Sequence, residues 1–554
     1  MVWHIFRKDL VLLWPVVALS AIAQFGLNAM MFVADRSPDS QYLLLMARLF
    51  VIVVFLVITL AIALGVHQDP IPGTRQDWLI RPIRRRDLLA AKLLFVLAAV
   101  QLPMLVGDLV EAMAQGFSWR EAVTAALSRN LFVLVTLSLP AFGFAAMTRN
   151  TAQFIGVGVV YVVAITAATF LLSNVARING AEQASNPLFW TGVAWVQQTV
   201  ARLALAAGAI VALLLLYFRR RVALARGVLP AFAALSVLAT FLPWGWLFAV
   251  QAAASAAPAP GQAVGVSFDP QAPRYRALAG EGSDDYAAGA AQVQLRGRSA
   301  GDIEVENKVR HAQGDVTIFI PLRISGLPAG ALAWADRAEV SLRSQAGQVV
   351  FQGRGDELKL ERTGAGSPVT QAYEAIRIPA LVYEASRDKA LTLEIAYSMT
   401  VLRARPPVAV PALGAAADLP GVGRCTSGRD SDGDDIVLRC LQAGRAPSCV
   451  SATLADSSSG RRNPETLICA PDYSPYNSRP FPDAISRFEV EAPFRDRLGL
   501  GTYPVGGAQL GRAQLVLTSF EASQHLTRHV TAVAVRLSDW TAINSSQGAG
   551  KPGT

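Results

Sequence analysis

Residues 43–65 read LLLMARLFVIVVFLVITLAIALG, a stretch of 23 residues with a single charged side chain. An α-helix needs about twenty predominantly apolar residues to cross the roughly 30 Å hydrocarbon layer of a membrane. Runs of this kind recur along the chain, and all of them lie before residue 251. We therefore predict an α-helical polytopic membrane domain with about seven spans, at residues 10–33, 43–65, 88–108, 130–147, 152–173, 199–218 and 228–250.

The charges of the chain divide at the same point. Residues 1–250 contain 19 Lys and Arg against 10 Asp and Glu, whereas the remaining residues contain 31 of each sign, so the net charge of +9 belongs to the membrane half. A nucleic-acid-binding domain usually has a basic footprint. The neutral C-terminal half therefore argues against nucleic acid as a partner.

The basic residues of the short loops predict the orientation, because Lys and Arg are retained on the cytoplasmic side. With the N-terminus inside, four basic residues fall outside, and Arg48, Lys92 and Arg202 lie within spans near their ends, where long side chains can reach the interface. The inner side holds the other twelve: Arg7, Lys8, Arg75, Arg81, Arg84, Arg85, Arg86, Arg149, Arg219, Arg220, Arg221 and Arg226. We predict an integral inner (cell) membrane protein with a cytoplasmic N-terminus and a periplasmic C-terminal domain.

All four cysteines lie in the C-terminal half, within 45 residues of one another: Cys425, Cys440, Cys449 and Cys469. Disulfides form outside the cytosol, so this clustering agrees with the predicted orientation. Two bridges are predicted, with three possible pairings that the sequence leaves open. The alternative, a zinc site, normally needs closely spaced Cys-x-x-Cys pairs, which the chain lacks.

A second interpretation of the N-terminus stays open. Arg7 and Lys8, an apolar run and Ala21-Ile22-Ala23 also resemble a secretory signal peptide that is cleaved after residue 23. The apolar stretch continues past this point to Val33, which is longer than a signal core needs. Cleavage would leave the downstream orientation unchanged.

Three polar residues, Ser20, Gln24 and Asn28, recur at four-residue intervals in the first span. This spacing places them on one helical face, where they can form hydrogen bonds with neighbouring helices. We predict that the first span packs inside a bundle. Asp108 and Arg202 lie toward the outer ends of their spans, so we expect paired or solvated side chains there rather than a proton relay.

The longest and most basic inner loop connects the second and third spans and reads HQDPIPGTRQDWLIRPIRRRDLLAAK, residues 67–92. It resembles a segment of permease subunits of type-2 ATP-binding-cassette (ABC) transporters. The matching residues are Gly73, Trp78, Leu79, Arg81, Pro82, Ile83, Leu88, Leu89 and Lys92. The opening MVWHIFRKDLVLLWP is similar to the amphipathic interfacial helix of that family, with its Arg-Lys-Asp cluster. The resemblance covers about residues 1–220, and the span at 228–250 departs from the six-span core of the family.

The resemblance implies that a separate cytosolic ABC ATPase docks against this loop and drives export. It also implies a homo- or heterodimer of permease subunits in the lipid bilayer. The predicted docking residues are Trp78, Leu79, Arg81, Pro82, Ile83 and Arg84. The chain has no GxxxxGK[ST] phosphate-binding loop, so we expect no ATP hydrolysis, no catalytic residue and no cofactor in this subunit.

The pattern changes beyond an Ala- and Pro-rich spacer at 251–265. Apolar and polar residues alternate at 316–324 and 391–399, which predicts half-buried strands. Shorter runs predict strands at 292–296, 339–343, 485–490, 514–520 and 530–537. We predict an all-β, sandwich-like extracytoplasmic domain over 266–540, divided into two lobes near 405–421, and a disordered tail over 541–554.

The strand pattern also bears on metal binding. His525 and His529 have the i, i+4 spacing of a zinc-protease helix, but position 526 is Leu where that motif has Glu, and the segment alternates like a strand. We therefore predict no metal site.

The favoured function is a permease subunit of an ABC-type exporter with a large extracytoplasmic domain, because a simple anchor needs one span rather than seven. One alternative is a membrane-anchored extracytoplasmic binding or sensing protein that transports nothing. The other is an exterior enzyme on a membrane anchor. The sequence indicates neither the substrate nor the ligand of the β domain.

Overall fold

The computed structural model describes residues 1–34, 41–69, 84–178, 193–219, 221–239, 242–255, 264–274, 276–277, 315–328, 330–355, 359–361, 369–414, 416–429, 435–444, 447–463, 465–469, 484–494, 504–541 and 543–544.

The N-terminal half is helical. A short helix, α1 (Val2–Leu12), precedes two long helices, α2 (Trp14–Ala34) and α3 (Gln41–His67). Each of the next two helical units is divided by a π-helical turn. The first consists of α4 (Arg85–Val96), the turn Leu97–Gln101 and α5 (Leu102–Ala114), and the second of α6 (Trp119–Val133), the turn Leu134–Ser138 and α7 (Leu139–Met147). The remaining helices are α8 (Thr151–Ile178), α9 (Val193–Tyr217), α10 (Val222–Ala239) and α11 (Trp244–Ala254).

Within the described residues, six helical units are long and apolar enough to cross a membrane: 14–34, 49–67, 85–114, 119–147, 199–217 and 222–239. In addition, α8 is 28 residues long and begins with the apolar segment Thr151–Ala164. Helices satisfy their own backbone hydrogen bonds, which a segment in hydrocarbon must do. The predicted helical membrane domain is confirmed, and the chain is an integral membrane protein.

The first predicted span, 10–33, has different boundaries in the structure. The helix is interrupted at Leu13, and α2 begins at Trp14 with Pro15 in its first turn. Proline is tolerated there because the first N–H groups of a helix have no partner within the helix. The amphipathic α1 is therefore a separate element.

The last predicted span, 228–250, is two helices in the structure. α10 begins six residues earlier, at Val222, and ends at Ala239. α11 begins at Trp244, directly after Pro243. Proline disfavours the helical conformation in the residue before it, and Pro243 is the N-cap of α11, so the new helix begins at this proline, whereas α10 accommodates Pro230 in its interior. The predicted spacer 251–265 consequently overlaps the end of α11.

The C-terminal half is mostly β-sheet, apart from the short helix α12 (Ala380–Ser386). A three-stranded sheet has the order β1 (Gly265–Phe268), β3 (Asp315–Ser325), β7 (Val369–Pro379). A four-stranded sheet has the order β10 (Ala416–Leu419), β11 (Gly423–Arg429), β12 (Asp435–Ala443), β15 (Ile485–Pro493). The largest sheet has the order β14 (Thr466–Cys469), β13 (Cys449–Asp456), β16 (Ala513–Val535), β8 (Leu391–Ala404), β4 (Ala331–Arg343), β5 (Val349–Arg354).

Two short strands extend the largest sheet, and two others form a separate two-stranded sheet. β6 (Lys359–Glu361) pairs with β4, and β9 (Val408–Pro411) pairs with β16. β2 (Arg276–Ala277) pairs with β17 (Ile543–Asn544). The predicted all-β character of the C-terminal domain is confirmed.

Most of the predicted strands belong to these elements. Those at 316–324, 339–343, 391–399 and 485–490 are confirmed as parts of β3, β4, β8 and β15, and the run 292–296 lies outside the described residues.

The two strands predicted at 514–520 and 530–537 are instead one strand, β16, of 23 residues. Residues 521–529 are mostly polar, which hides the periodicity of the strand between its apolar ends. Two shifts of register against β8 let the long strand twist without a turn.

Two hydrophobic cores lie on one face of the largest sheet. The core toward the three-stranded sheet includes Ile320 and Val401, and the core toward the four-stranded sheet includes Phe488 and Leu517. β16 contributes to both, through Leu517 in one and Val530 in the other, and its register with β8 keeps the inward residues on the same side. One strand therefore supports both parts of the domain.

Two segments differ locally from their predictions. The stretch 405–421, where we predict a division between lobes, contains β9 and β10, and it contributes Val410, Ala412 and Leu419 to the core toward the four-stranded sheet. Thr541 forms a bridge with Ile318, and β17 extends the fold to Asn544. The predicted tail 541–554 therefore begins inside the fold, and residues 545–554 lie outside the described part of the chain.

The cysteines form two disulfides between neighbouring strands. Cys425 and Cys440 lie opposite each other on β11 and β12, with Cα atoms 4.1 Å apart. Cys449 and Cys469 lie opposite each other on β13 and β14, with Cα atoms 4.0 Å apart. The structure thus selects the pairing of cysteines that are consecutive in the chain. It excludes the zinc alternative, because all four sulfur atoms are in disulfides.

Candidate functional site

Lys92 is the centre of a buried ion cluster at one end of the helical bundle. Its side chain is 1% exposed, and its Nζ lies 2.7 Å from Asp9 Oδ2 and 2.8 Å from Asp69 Oδ2. Asp9 is fully buried, and Lys8 Nζ lies 2.9 Å from Asp69 Oδ1. Two cations and two carboxylates therefore neutralise one another, which is the condition under which buried charges are tolerated.

Three helices position the members of this cluster. Asp9 lies on the buried side of α1, Lys92 lies in the middle of α4, and Asp69 follows the end of α3. Burial opposes the ionisation of Asp69, but the charges and hydrogen bonds of Lys92 and Lys8 hold the pKa of its carboxyl below the ordinary value of 3.8. The carboxylate form is thus the stable one, and the cluster ties α1 to α3 and α4.

The cluster lies beside the helix ends that border residues 70–83, the part of the predicted inner loop that lies outside the described residues. Asp69 precedes this loop, and the exposed residue Arg84 follows it directly before α4. Arg85 Nη1 donates to the Leu216 carbonyl of α9 at 3.4 Å, which attaches the second end of the loop to another helix. Arg84 is the predicted docking residue that the structure describes. The other five lie outside the described residues: Trp78, Leu79, Arg81, Pro82 and Ile83.

The predicted polar face of α2 has two parts. Gln24 Nε2 donates to Ser20 Oγ at 3.0 Å, and both side chains are buried. Asn28 Nδ2 donates to Asp108 Oδ1 of α5 at 3.3 Å. Asp108 is fully buried and forms an ion pair with Arg129 of α6. The polar residues of the first span thus face the bundle interior, and one of them reaches a buried ion pair.

At the other end of the bundle, the connection between α5 and α6 binds the β domain. The Arg424 guanidinium of β11 lies 4.9 Å from the centre of the Phe117 ring, and Arg424 Nη1 donates to the Gln115 carbonyl at 3.1 Å. Arg487 of β15 forms an ion pair with Glu111 of α5. These two side chains are only 6% and 9% exposed, so their charges interact with little screening by water.

Apolar residues surround this ion pair. Buried side chains of the α5–α6 connection pack against Ile485 of β15, and β12 adds Leu441 and Ala443. The residues from the membrane half are Leu109, Ala112, Phe117 and Ala122. Together the polar and apolar contacts join the connected end of the α5–α6 pair to the four-stranded sheet.

A second contact joins α11 to the largest sheet, on the face opposite to the two cores. The Phe248 ring meets the His525 ring of β16 edge-on, with centroids 6.0 Å apart. The Arg337 guanidinium of β4 lies 5.3 Å from the centre of the Trp244 ring. His525 Nδ1 lies 2.9 Å from Thr400 Oγ1, and burial lowers the pKa of His525 to about 4. The imidazole is therefore neutral near physiological pH.

An open polar groove lies farther along the same face of this sheet. Its polar lining consists of Glu339, Ser341, Gln352, Glu394, His529 and Thr531. Arg337 Nη2 lies 2.7 Å from Glu339 Oε1, and Arg343 Nε lies 3.1 Å from Glu394 Oε2, so both carboxylates have a cation beside them. Among the described residues, no group of three or more His, Cys, Asp or Glu side chains is arranged to hold a metal ion.

Comparisons with known proteins identify no relative. No protein-family model matches the chain, and no curated protein matches it at a significant level. The function of the chain therefore has to be inferred from its own residues.

The ion cluster is the feature that the sequence does not reveal. The sequence places Lys92 near the end of its span, where a long side chain can reach the interface, and the structure buries its ammonium group between Asp9 and Asp69. A sequence signal exists in hindsight: a lysine inside an apolar helix and an aspartate on the amphipathic first helix both lie near the predicted inner surface. Their contact spans 83 positions of sequence, which local patterns do not report.

Replacing Lys92 by Met is expected to destabilise this end of the bundle, where α1 and α4 meet, by about 3–5 kcal/mol, because two carboxylates lose their buried counter-ion. Hydrogen exchange of the α1 and α4 amides in the full-length protein should rise by about a hundredfold or more. Lys8→Met is the matched control. Lys8 is 47% exposed, so its loss should cost less than about 1 kcal/mol. Equal exchange rates in the two variants would contradict the role of the cluster.

The contact between α11 and the largest sheet is expected to weaken as the pH falls from 6.5 toward about 4. The pKa of His525 is about 4 while α11 is in contact with the sheet and 6.5 when the side chain is exposed. As the pH falls below 6.5, the form with α11 detached therefore binds a proton first, and it becomes more stable relative to the form in contact. Hydrogen exchange of the α11 amides, corrected for the intrinsic pH dependence, measures this effect. His525→Gln keeps a polar group beside Thr400 but cannot titrate, and it should abolish the pH dependence.

Proposed function

We propose that the chain is the permease subunit of an ABC-type exporter in the inner (cell) membrane, with a cytoplasmic N-terminus and a periplasmic β domain. The observation that carries this proposal is the buried Lys92 cluster at the base of the loop 70–83. This loop contains six of the nine residues that carry the resemblance to type-2 permeases, and Lys92 itself is another of the nine.

The cluster suits a loop that transmits force into the bundle. Asp69 attaches one end of the loop to Lys92 of α4, and Arg85 attaches the other end to α9. Breaking a buried ion pair by removal of one partner is costly, so the base of the loop resists bending. A partner that displaces the loop therefore displaces α1, α3, α4 and α9 together.

The energy for export comes, in this proposal, from a separate cytosolic ABC ATPase. The chain lacks a phosphate-binding loop of its own. The docking surface consists of Trp78, Leu79, Arg81, Pro82, Ile83 and Arg84. Two permease subunits, identical or different, complete the transporter in the bilayer.

The proposed orientation is supported by two independent features. Basic residues favour the inner loops by twelve to four. The two disulfides of the β domain are of a kind that forms in oxidising compartments. Both features support a periplasmic location for the β domain.

A second candidate function is a membrane-anchored extracytoplasmic binding or sensing protein without transport. The polar groove on the largest sheet favours it, because Glu339, Glu394 and His529 line an open concave surface on the domain. If no ABC ATPase co-purifies with the chain, this candidate becomes the better supported function.

The proposed orientation predicts opposite labelling of two engineered cysteines. Arg149→Cys lies at an exposed inner connection, and Asp388→Cys lies on the β domain, where Asp388 is 76% exposed. A membrane-impermeant maleimide should label position 388 in right-side-out vesicles and position 149 only in inside-out vesicles. The reverse pattern would overturn the orientation.

The proposed docking predicts that an ABC ATPase co-purifies with the tagged full-length chain from its own host membranes. The double variant Trp78→Ala, Arg81→Ala should lose this ATPase while inserting into the membrane at the normal level. Arg149→Ala, an exposed basic residue on the same predicted side, is the matched control and should retain it. Absence of any such ATPase from the wild-type preparation would refute the permease function.

A further inference from the structure

The two helical units that carry the β domain are each interrupted by a π-helical turn. In the first, the Leu102 N–H donates to the Leu97 carbonyl, five residues back. In the second, the Leu139 N–H donates to the Leu134 carbonyl. Such turns are rare, and single π turns inside α-helices are frequent at functional positions.

In each helical unit, a proline explains the π turn. Each turn ends in a polar residue followed by Leu-Pro, with the prolines at Pro103 and Pro140. Proline has no N–H, and its ring collides with the carbonyl four residues earlier, which belongs to Ala99 in one unit and Thr136 in the other. Both carbonyls lie inside the π turns, where the wider helix relieves the clash. The α-helical hydrogen-bond ladder is therefore interrupted at these two places.

The two turns lie at the same depth and are bonded to each other. Gln101 Nε2 donates to Ser138 Oγ at 2.8 Å, and the two residues are 6% and 0% exposed. These are the polar residues that end the two turns. In the orientation that satisfies its hydrogen bonds, the Asn130 amide of α6 also donates to Gln101 Oε1 at 2.6 Å. Hydrogen bonds between side chains can be exchanged for others without unfolding either helix, so these contacts link the two turns without preventing a change in their angle.

Beyond the turns, α5 and α6 form one unit. The buried ion pair between Asp108 and Arg129 joins them along their length. Their connection is tight, because Gly116 has a φ of +84°, which favours glycine, and Ser118 and Glu121 cap α6 reciprocally. The ion pair and the tight connection therefore hold α5 and α6 together as a hairpin.

The β domain is attached to this hairpin. The Glu111–Arg487 ion pair and the Arg424–Phe117 contact both join the hairpin to the four-stranded sheet. A movement of the hairpin therefore moves this sheet with it.

We propose that the paired π turns are a hinge on which the α5–α6 hairpin and the four-stranded sheet move together as a lever. A change in the inner half of the bundle then becomes a displacement of the periplasmic domain. The 13 residues of α5 extend about 20 Å from the hinge. A reorientation of about 20°, typical of kinks at prolines and π turns, moves the tip of the hairpin by about 7 Å. The hinge is a property of this chain and operates whether or not an ATPase is its partner.

The test is a distance measurement by double electron–electron resonance on the full-length protein in lipid nanodiscs. Spin labels are placed at Arg149→Cys on the inner side and at Ala416→Cys on the four-stranded sheet, both exposed positions. The wild-type distance distribution should be about 7 Å broader than that of a single conformation, because the lever moves by this distance. Pro103→Ala with Pro140→Ala restores the helical hydrogen bonds and should narrow it to one sharp distance.

Control variants separate the hinge from general effects of substitution. Pro230→Ala removes a proline from the interior of α10, which is not part of the lever, and should leave the distribution unchanged. Gln101→Leu with Ser138→Ala removes the bond between the turns while retaining both prolines, and should broaden the distribution further. An unchanged distribution in both hinge variants, or equal narrowing by Pro230→Ala, would overturn the proposal.

A second label pair tests the attachment of the sheet. Labels at Arg120→Cys and Arg149→Cys follow the hairpin without the β domain. Arg487→Leu should broaden the distribution of the pair 149 and 416 but leave that of the pair 120 and 149 unchanged. Equal broadening of both pairs would show that Arg487 supports the fold of the hairpin rather than the lever. None of these distances involves the ATPase, so a failure of the proposed docking leaves the result intact.

Discussion

Hydrocarbon offers no hydrogen-bond partner to a peptide group, so a chain inside a membrane must satisfy its own backbone. That constraint makes the first half of this chain helical, and it requires compensation wherever the helical hydrogen bonds are interrupted. Prolines interrupt the ladder in two helical units, and there a π turn and the Gln101–Ser138 hydrogen bond compensate. Buried charges follow the same rule, since Lys92 and Asp108 each lie beside an opposite charge.

One helical unit, residues 85–114, connects the two ends of the molecule. Lys92 near its first end belongs to the ion cluster beneath the loop 70–83, and Glu111 near its other end belongs to the ion pair with Arg487 of the β domain. The 19 positions between these two residues correspond to about 29 Å of helix. The π turn lies between the two charged contacts. The same element therefore joins the proposed docking loop, the proposed hinge and the β domain.

The β domain has a corresponding continuous element. β16 pairs with β13 along its first part and with β8 along the rest, and it contributes apolar residues to both hydrophobic cores. The disulfides reinforce strand pairs at one end of this arrangement. A domain built on one long strand can respond as a unit to a pull at the four-stranded sheet. The α11 contact at His525 gives it a second point of attachment to the membrane half.

The sequence by itself determined the helical membrane domain, the β domain and the presence of two disulfides. Hydropathy and the alternation of apolar and polar residues depend on which neighbouring side chains are buried, and the clustering of cysteines indicates an oxidising compartment. It placed the span at 228–250 incorrectly, since Pro243 outweighs the apolar composition around it, and it divided β16 where polar residues hide the alternation. Only the tertiary structure decided which cysteines pair, that Lys92 is buried between Asp9 and Asp69, and that Glu111 meets Arg487. The physical reason is distance along the chain: these last contacts join residues 83, 23 and 376 positions apart, and only packing brings them together.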